Sequence, residues 1–304
     1  MSAYVLLFLG AVFSGGVFVA AKYALVAIPP FTVAFGRFAL ASGLLWLWVW
    51  QAEPARPRLA LRDLPLIVGM GITAMAGFNI LMLYGLTIAP ATDAAILSPG
   101  ISPVVAAMLS WWLLGERIGS RTMIGLAAAL VGLFLVVNPQ PGGPPNRLAG
   151  DLLFAAGSSM WGVYALIVKA ATRRFAPSAA TLYACAASAA LLLPFSIGEQ
   201  GASRLAAAPP AAWWGLLYLA VFPTALAFVF FYVGVRQVGT VRSTAFALLI
   251  PIVGVLSSVV LLGERLTAQI VGGGVLVLVG LWMVQTKGVP PRRAVQDESR
   301  PMAV

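Results

Sequence analysis

Ten runs of about 19 predominantly apolar residues dictate where this chain can live. They fall near residues 4–22, 31–50, 64–86, 93–113, 121–138, 150–169, 178–198, 211–235, 241–262 and 267–286. In hydrocarbon every backbone N–H and C=O must be satisfied internally, which leaves helices or a closed barrel. Barrel strands alternate apolar and polar residues, whereas these runs are continuous. The reading is an all-α membrane protein of ten transmembrane helices. Composition agrees: 61% of the 304 residues are apolar and 9% charged, against about 25% charged in a soluble chain, so no sizeable soluble domain fits. Met1, Ser2 and Ala3 supply no basic leader and no cleavage site follows, so the first run reads as a retained span.

The basic residues orient these spans, because Lys and Arg gather in cytoplasmic loops. Fourteen of the 19 fall on one side. Lys22, Arg147, Arg204 and Arg265 fall on the other, and Arg37 lies inside the second run. This predicts a multi-pass inner-membrane protein with both termini cytoplasmic. The net charge of +10 is then topology and contact with anionic lipid, and no nucleic-acid partner is expected. One cysteine, Cys185, and no histidine exclude an internal disulfide, a Cys or His metal cluster and a histidine relay. The reading carries no metal, no cofactor and no catalytic set.

Pro103 to Val136 aligns without gaps on Pro251 to Val284, with 14 of 34 positions identical. The identities include the proline, the block Leu113-Leu114-Gly115-Glu116-Arg117 against Leu261-Leu262-Gly263-Glu264-Arg265, Gly125 with Gly273 and Gly132 with Gly280. Earlier, Gly15 and Lys22 match Gly162 and Lys169. The chain divides into two five-helix repeats, 3–138 and 150–286, followed by a disordered cytoplasmic tail over 287–304. Five spans per half is odd, so the second half enters from the opposite face, an inverted repeat of the kind secondary transporters use around one midplane site.

A first-helix glycine with a lysine seven residues on, a helix-breaking proline, LLGER and a Gly-rich last helix, all twice, resembles the drug/metabolite transporter superfamily. The match is to its ten-helix branch with two EamA domains, and more loosely to the YddG-type amino-acid exporters. The resemblance implies a small-metabolite transporter, usually an inner-membrane exporter, with a cavity between the halves.

Every Asp and Glu falls at a span end, in a loop or in the tail, so no carboxylate is expected inside the membrane as a proton carrier. Asp93 fits N-terminal capping of the fourth span; alternatively it pairs with Arg37 or Lys22 in an outer gate, since Arg37 needs a partner at its depth. Lys22 also reads as a snorkelling anchor. Pro99, Pro103 and Pro251 kink their helices and each frees a carbonyl four residues earlier; Pro99 is taken as cavity wall. The two Glu-Arg pairs read as helix termination and interfacial anchoring, with gating salt bridges as the other reading. Gly125, Gly132, Gly272 to Gly274 and Gly280 permit close helix contact. Substrate chemistry should appear where the repeats differ: Asn79 faces Ala227, and Trp161 and Tyr164 face Ser14 and Val17. Phe78, Tyr84, Tyr232 and Phe246 complete the expected aromatic walls.

These features add up to an alternating-access exporter of small neutral metabolites, with aromatic or other neutral amino acids suggested by the YddG resemblance. A facilitator is more economical than a proton antiporter on this reading. The alternative is another solute class (sugar phosphate, nucleotide conjugate or cationic drug), with proton coupling. The partners expected are the small-molecule substrate and the lipid bilayer, with the protein a monomer or weak homodimer.

Overall fold

The computed structural model describes residues 2–52, 60–115, 119–137, 145–171 and 176–285. Among them every regular element is helical, and ten helices are long and apolar enough to span a membrane. They are α1 (Ala3–Leu25), α2 (Pro30–Gln51), α3 (Leu61–Ile88), α4 (Ala91–Leu113), α5 (Ser120–Val137), α6 (Arg147–Val168), α7 (Ser178–Gly198), α8 (Pro210–Val238), α9 (Arg242–Leu262) and α10 (Ala268–Gln285). Against the sequence reading, α6 begins three residues early, so Arg147, taken as a loop residue, belongs to the helix. Glu116, Arg117 and the tail over 287–304 lie outside the described residues.

Local chemistry sets the ends. Pro30 and Pro210 open α2 and α8, where a missing N–H costs nothing and the fixed φ suits a first turn. In the LLGER blocks, Gly115 and Gly263 stop α4 and α9 in left-handed conformations at φ 64° and 68°, which residues with a Cβ adopt with strain. Many large apolar side chains stay exposed, Trp112 at 74% and Val260 at 77%. That surface exceeds what water tolerates and fits lipid.

In lipid, helices associate through close packing rather than apolar burial, and the glycines mark where. α5 and α10 run antiparallel along their length. A methyl on Gly125 would lie 2.8 Å from the Gly280 carbonyl oxygen, and one on Gly132 2.5 Å from that of Gly273. The same reciprocity recurs: Gly15 of α1 packs on Ile250 and Val253 of α9, and Gly162 of α6 on the equivalent Ser102 and Val105 of α4. Gly272 meets nothing within 4 Å, so of the expected glycine run Gly273 makes the tight crossing.

Equivalent positions also share a backbone departure. α3 widens into a π-helix over Gly71–Phe78 and α8 over Ala220–Leu226. Such widening releases backbone groups from the α ladder and recurs at functional sites. Here Asn79 Nδ2 donates to the Ala74 carbonyl at 3.0 Å, and Thr224 Oγ1 to the Leu219 carbonyl at 2.7 Å.

Candidate functional site

The two π-helical segments meet at Arg37. About two turns into α2, its guanidinium donates through Nη1 to Asn79 Oδ1 at 2.7 Å and through Nε to Thr224 Oγ1 at 2.8 Å. Arg37 is 9% exposed and lies 5.4 Å from the Phe38 ring centroid. Among the described residues no carboxylate pairs with it, and Nη2 has no partner. A guanidinium carries five donors and can accept nothing, so this one offers the cavity unspent donors and an uncompensated positive charge.

That cavity holds about 320 Å³, near the lower end of the ~300–1,000 Å³ range of small-molecule sites. Phe78, Trp161 and Phe228 supply apolar walls, with Pro99 and Pro103 from α4. Phe78 and Trp161 meet edge to face at 5.1 Å. Ser98 also lines it, with its hydroxyl buried and without a partner among the described residues. A contiguous chamber of about 220 Å³ adds Leu7, Phe231, Ser243 and Phe246 and shares Trp161 and Pro223. Those added residues sit near the helix ends on the face where the chain begins and α10 ends, so the space extends toward that face.

At the opposite face, long-range contacts among the described residues tie helix ends together. Glu264, from the second LLGER block, accepts from the Ala91 and Thr92 N–H groups at 2.7 and 2.8 Å, and Glu199 from those of Phe31 and Thr32 at 3.2 and 2.8 Å. Each carboxylate neutralises the positive end of a helix that starts there. Lys22 Nζ donates to the Ala89 carbonyl at 2.8 Å.

Sequence reasoning placed Asn79, Phe78, Pro99 and Trp161 in the substrate cavity, and the structure brings them together; Arg37, expected at an outer gate, joins them there, and Phe246 joins through the second chamber. The remaining aromatics sit elsewhere. Tyr164 backs Trp161 at 5.2 Å without lining the space. Tyr84 is turned away, five residues beyond Asn79 and therefore well round the helix, against Phe31. Tyr232 packs edge-on against Trp48 of α2. The expected link from Asp93 to Arg37 or Lys22 is corrected: Arg147 takes Asp93 at 2.6 Å, because α6 brings its first turn against that of α4 while Arg37 reaches into the cavity. The cap of α4 comes from Glu264 instead. Asp93, in the first turn of α4, and Asp151, one turn into α6, stand near span ends as expected, yet they are 0% and 1% exposed, enclosed by the protein itself. Sequence reasoning missed Thr224, Phe228 and Ser98, which carried no local signal. Pro223 inside the eighth run, and Arg147 four residues before Asp151, were legible signals.

Residues 1–138 and 148–286 each match the EamA-like transporter family. The chain is 24% identical to the uncharacterized transporter YyaM of Bacillus subtilis, over 92% of each chain. It is 29% identical to a probable terminal-alkyne amino-acid exporter of Streptantibioticus cattleyicolor, over 88% of this chain and 86% of that protein. It is 26% identical to a probable amino-acid metabolite efflux pump of Salmonella typhimurium, over 88% and 89%. A solved crystal structure, 21% identical, shares the fold with a TM-score of 0.62 over 93% of this chain and 96% of that one. With ten spanning helices around a polar-floored cavity and both halves matched, this multi-pass membrane protein belongs to the EamA-like transporter family, within the drug/metabolite transporter superfamily.

Proposed function

We propose that this transporter exports small neutral metabolites that carry a carboxylate, foremost neutral amino acids with apolar or aromatic side chains, across the inner membrane. The observation that carries the reading is Arg37, a buried guanidinium with no carboxylate partner among the described residues, on the floor of an aromatic-walled cavity. One such cation suits one monoanionic group; sugar phosphates and nucleotide conjugates want several basic groups converging on them, and a cationic drug would be repelled. Phe78, Trp161 and Phe228 suit the solute's apolar part, and the unpartnered Ser98 hydroxyl suits its ammonium. Two relatives that carry amino-acid export in their names support the same class.

The transport cycle on this reading is alternating access between two halves of inverted topology. The reciprocal glycine contacts and paired π-helical segments support it. Cytoplasmic termini would make this an inward-facing state, a reading supported by the second chamber on the side of the amino terminus and by the Glu199, Glu264 and Arg147 contacts on the other. The test is counterflow into liposomes holding the purified protein, screened with labelled phenylalanine, leucine, a hexose phosphate and a quaternary amine. The neutral amino acids exchange and the other two do not; exchange of the amine or the phosphate alone would replace this reading.

A further inference from the structure

Two carboxylates and one guanidinium are enclosed at the face opposite the termini. Arg147 donates through Nε to Asp93 Oδ2 at 2.6 Å and through Nη2 to Asp93 Oδ1 at 2.9 Å, and Nη2 also reaches the Val136 carbonyl at 3.0 Å. One turn along α6, Asp151 is 1% exposed, its Oδ2 stands 3.9 Å from Arg147 Nε, and among the described residues neither of its oxygens receives a hydrogen bond. Arg147 is already engaged by Asp93 in a two-pronged pair, so Asp151 has no counter-charge of its own. An ionised carboxylate buried without a donor is costly and is relieved by taking up a proton. The two carboxylates thus stand before one guanidinium, their nearer oxygens 2.6 and 3.9 Å from its Nε.

Charge balance points the same way. The charged groups facing the pair are Arg147 on α6, Lys22 from α1 and Glu264 from the segment after α9. α3 and α5 present the Ala89 carbonyl to Lys22 and the Val136 carbonyl to Arg147. Lys22 and Arg147 against Asp93 and Glu264 make a neutral set, so Asp151 completes the cluster without net charge only with its proton on.

We propose that Asp151 and Asp93 form a proton-binding site whose occupancy is linked to closure of this face: closing takes up one proton from the adjoining compartment, and opening returns it. When the face opens, water reaches both carboxylates, the shared proton leaves, and the two anions before one guanidinium resist closing again. Higher pH therefore favours the open state. One proton per transition makes the open-to-closed ratio rise by up to about tenfold per pH unit. The site goes beyond the export reading and does not depend on which solute the cavity takes.

The test needs no solute. Ala91, fully buried at the start of α4, is replaced in Ala91→Cys in the full chain in liposomes, and its labelling by a membrane-impermeant maleimide supplied on both sides is followed from about pH 5 to about pH 9, a span wide enough to catch the two macroscopic steps of a coupled pair. Each rate is divided by that of Val26→Cys, exposed on the same face, which removes the thiol's own pH dependence. The native Cys185, wholly buried, is labelled only if the protein unfolds. The normalised rate climbs with pH when Asp151 is present and is flat in Asp151→Asn. A flat profile with Asp151 present, or the same climb in Asp151→Asn, overturns the proposal. If Cys185 labelling shows that Asp151→Asn does not fold, Asp151→Glu takes its place: a climb with a displaced midpoint sustains the proposal and a flat profile overturns it.

Discussion

A guanidinium about 10 Å inside a membrane helix start is expensive unless its donors are met, and Arg37 meets two of them through Asn79 and Thr224. Both partners are neutral, so they orient the group without cancelling its charge. Asn79→Ala is therefore expected to leave the fold intact, since the repeat tolerates Ala227 at the equivalent place, and to weaken solute binding by roughly 1–3 kcal/mol, about 5- to 150-fold. If Asn79 served only helix packing, the melting temperature would fall by the small amount such intramembrane bonds are worth, about 0.6 kcal/mol, with affinity unchanged. Equilibrium binding and thermal melting of one purified variant separate the two. Asp93 belongs to the other class of residue: Asp93→Asn strips Arg147 of its two-pronged partner and should cost about 3–5 kcal/mol of stability, whereas Trp161→Ala should lower binding with little change in melting. The opposite assignment of effects would exchange the roles given to these two residues. Asn79 and Trp161 stood out in the sequence because the repeats differ there. Thr224 did not, because its importance comes from a helix widening that no local pattern announces.

Among the elements, α5 and α10 show how the bundle holds without water to drive it together. Gly132 and Gly273 let two backbones touch, and the prediction separates a glycine at this crossing from one beside it. Gly132→Val forces a side chain onto the Gly273 carbonyl and should cost about 1–3 kcal/mol, while Gly272→Val, facing open space, should be near neutral apart from its effect on helix propensity. Equal losses in thermal melting would mean that the crossing lies elsewhere. The ten helices were readable because a spanning helix needs a long apolar run, and the α4 and α9 stops because LLGER places a glycine where the chain must turn left-handed. The contacts that tie the opposite face together were not readable. Glu264 caps a helix 173 residues earlier, and Asp151 looks like a span-end residue until α3 and α4 close over it. Long-range enclosure of this kind leaves no spacing in the sequence.

At the scale of the molecule, the loop charges demand that reporters fused to the two termini both report the cytoplasm; a periplasmic carboxyl terminus would undo the even span count and the inverted halves with it. The repeat and the topology came from alignment and charge counting, while the arrangement of the cavity came only with the fold. α2, α3 and α8 had to be brought together before Arg37 could be seen facing the space between the halves. The central claim is that this cavity recognises its solute through a carboxylate on Arg37. Competitive binding of phenylalanine and of its carboxamide to the purified protein and to Arg37→Gln tests it most directly. The natural protein should prefer the carboxylate by about 10- to 150-fold, the worth of a hydrogen bond to a charged group, and Arg37→Gln should bind phenylalanine more weakly and lose that preference. Equal binding of both compounds by the natural protein, or an unchanged preference in Arg37→Gln, would contradict the account.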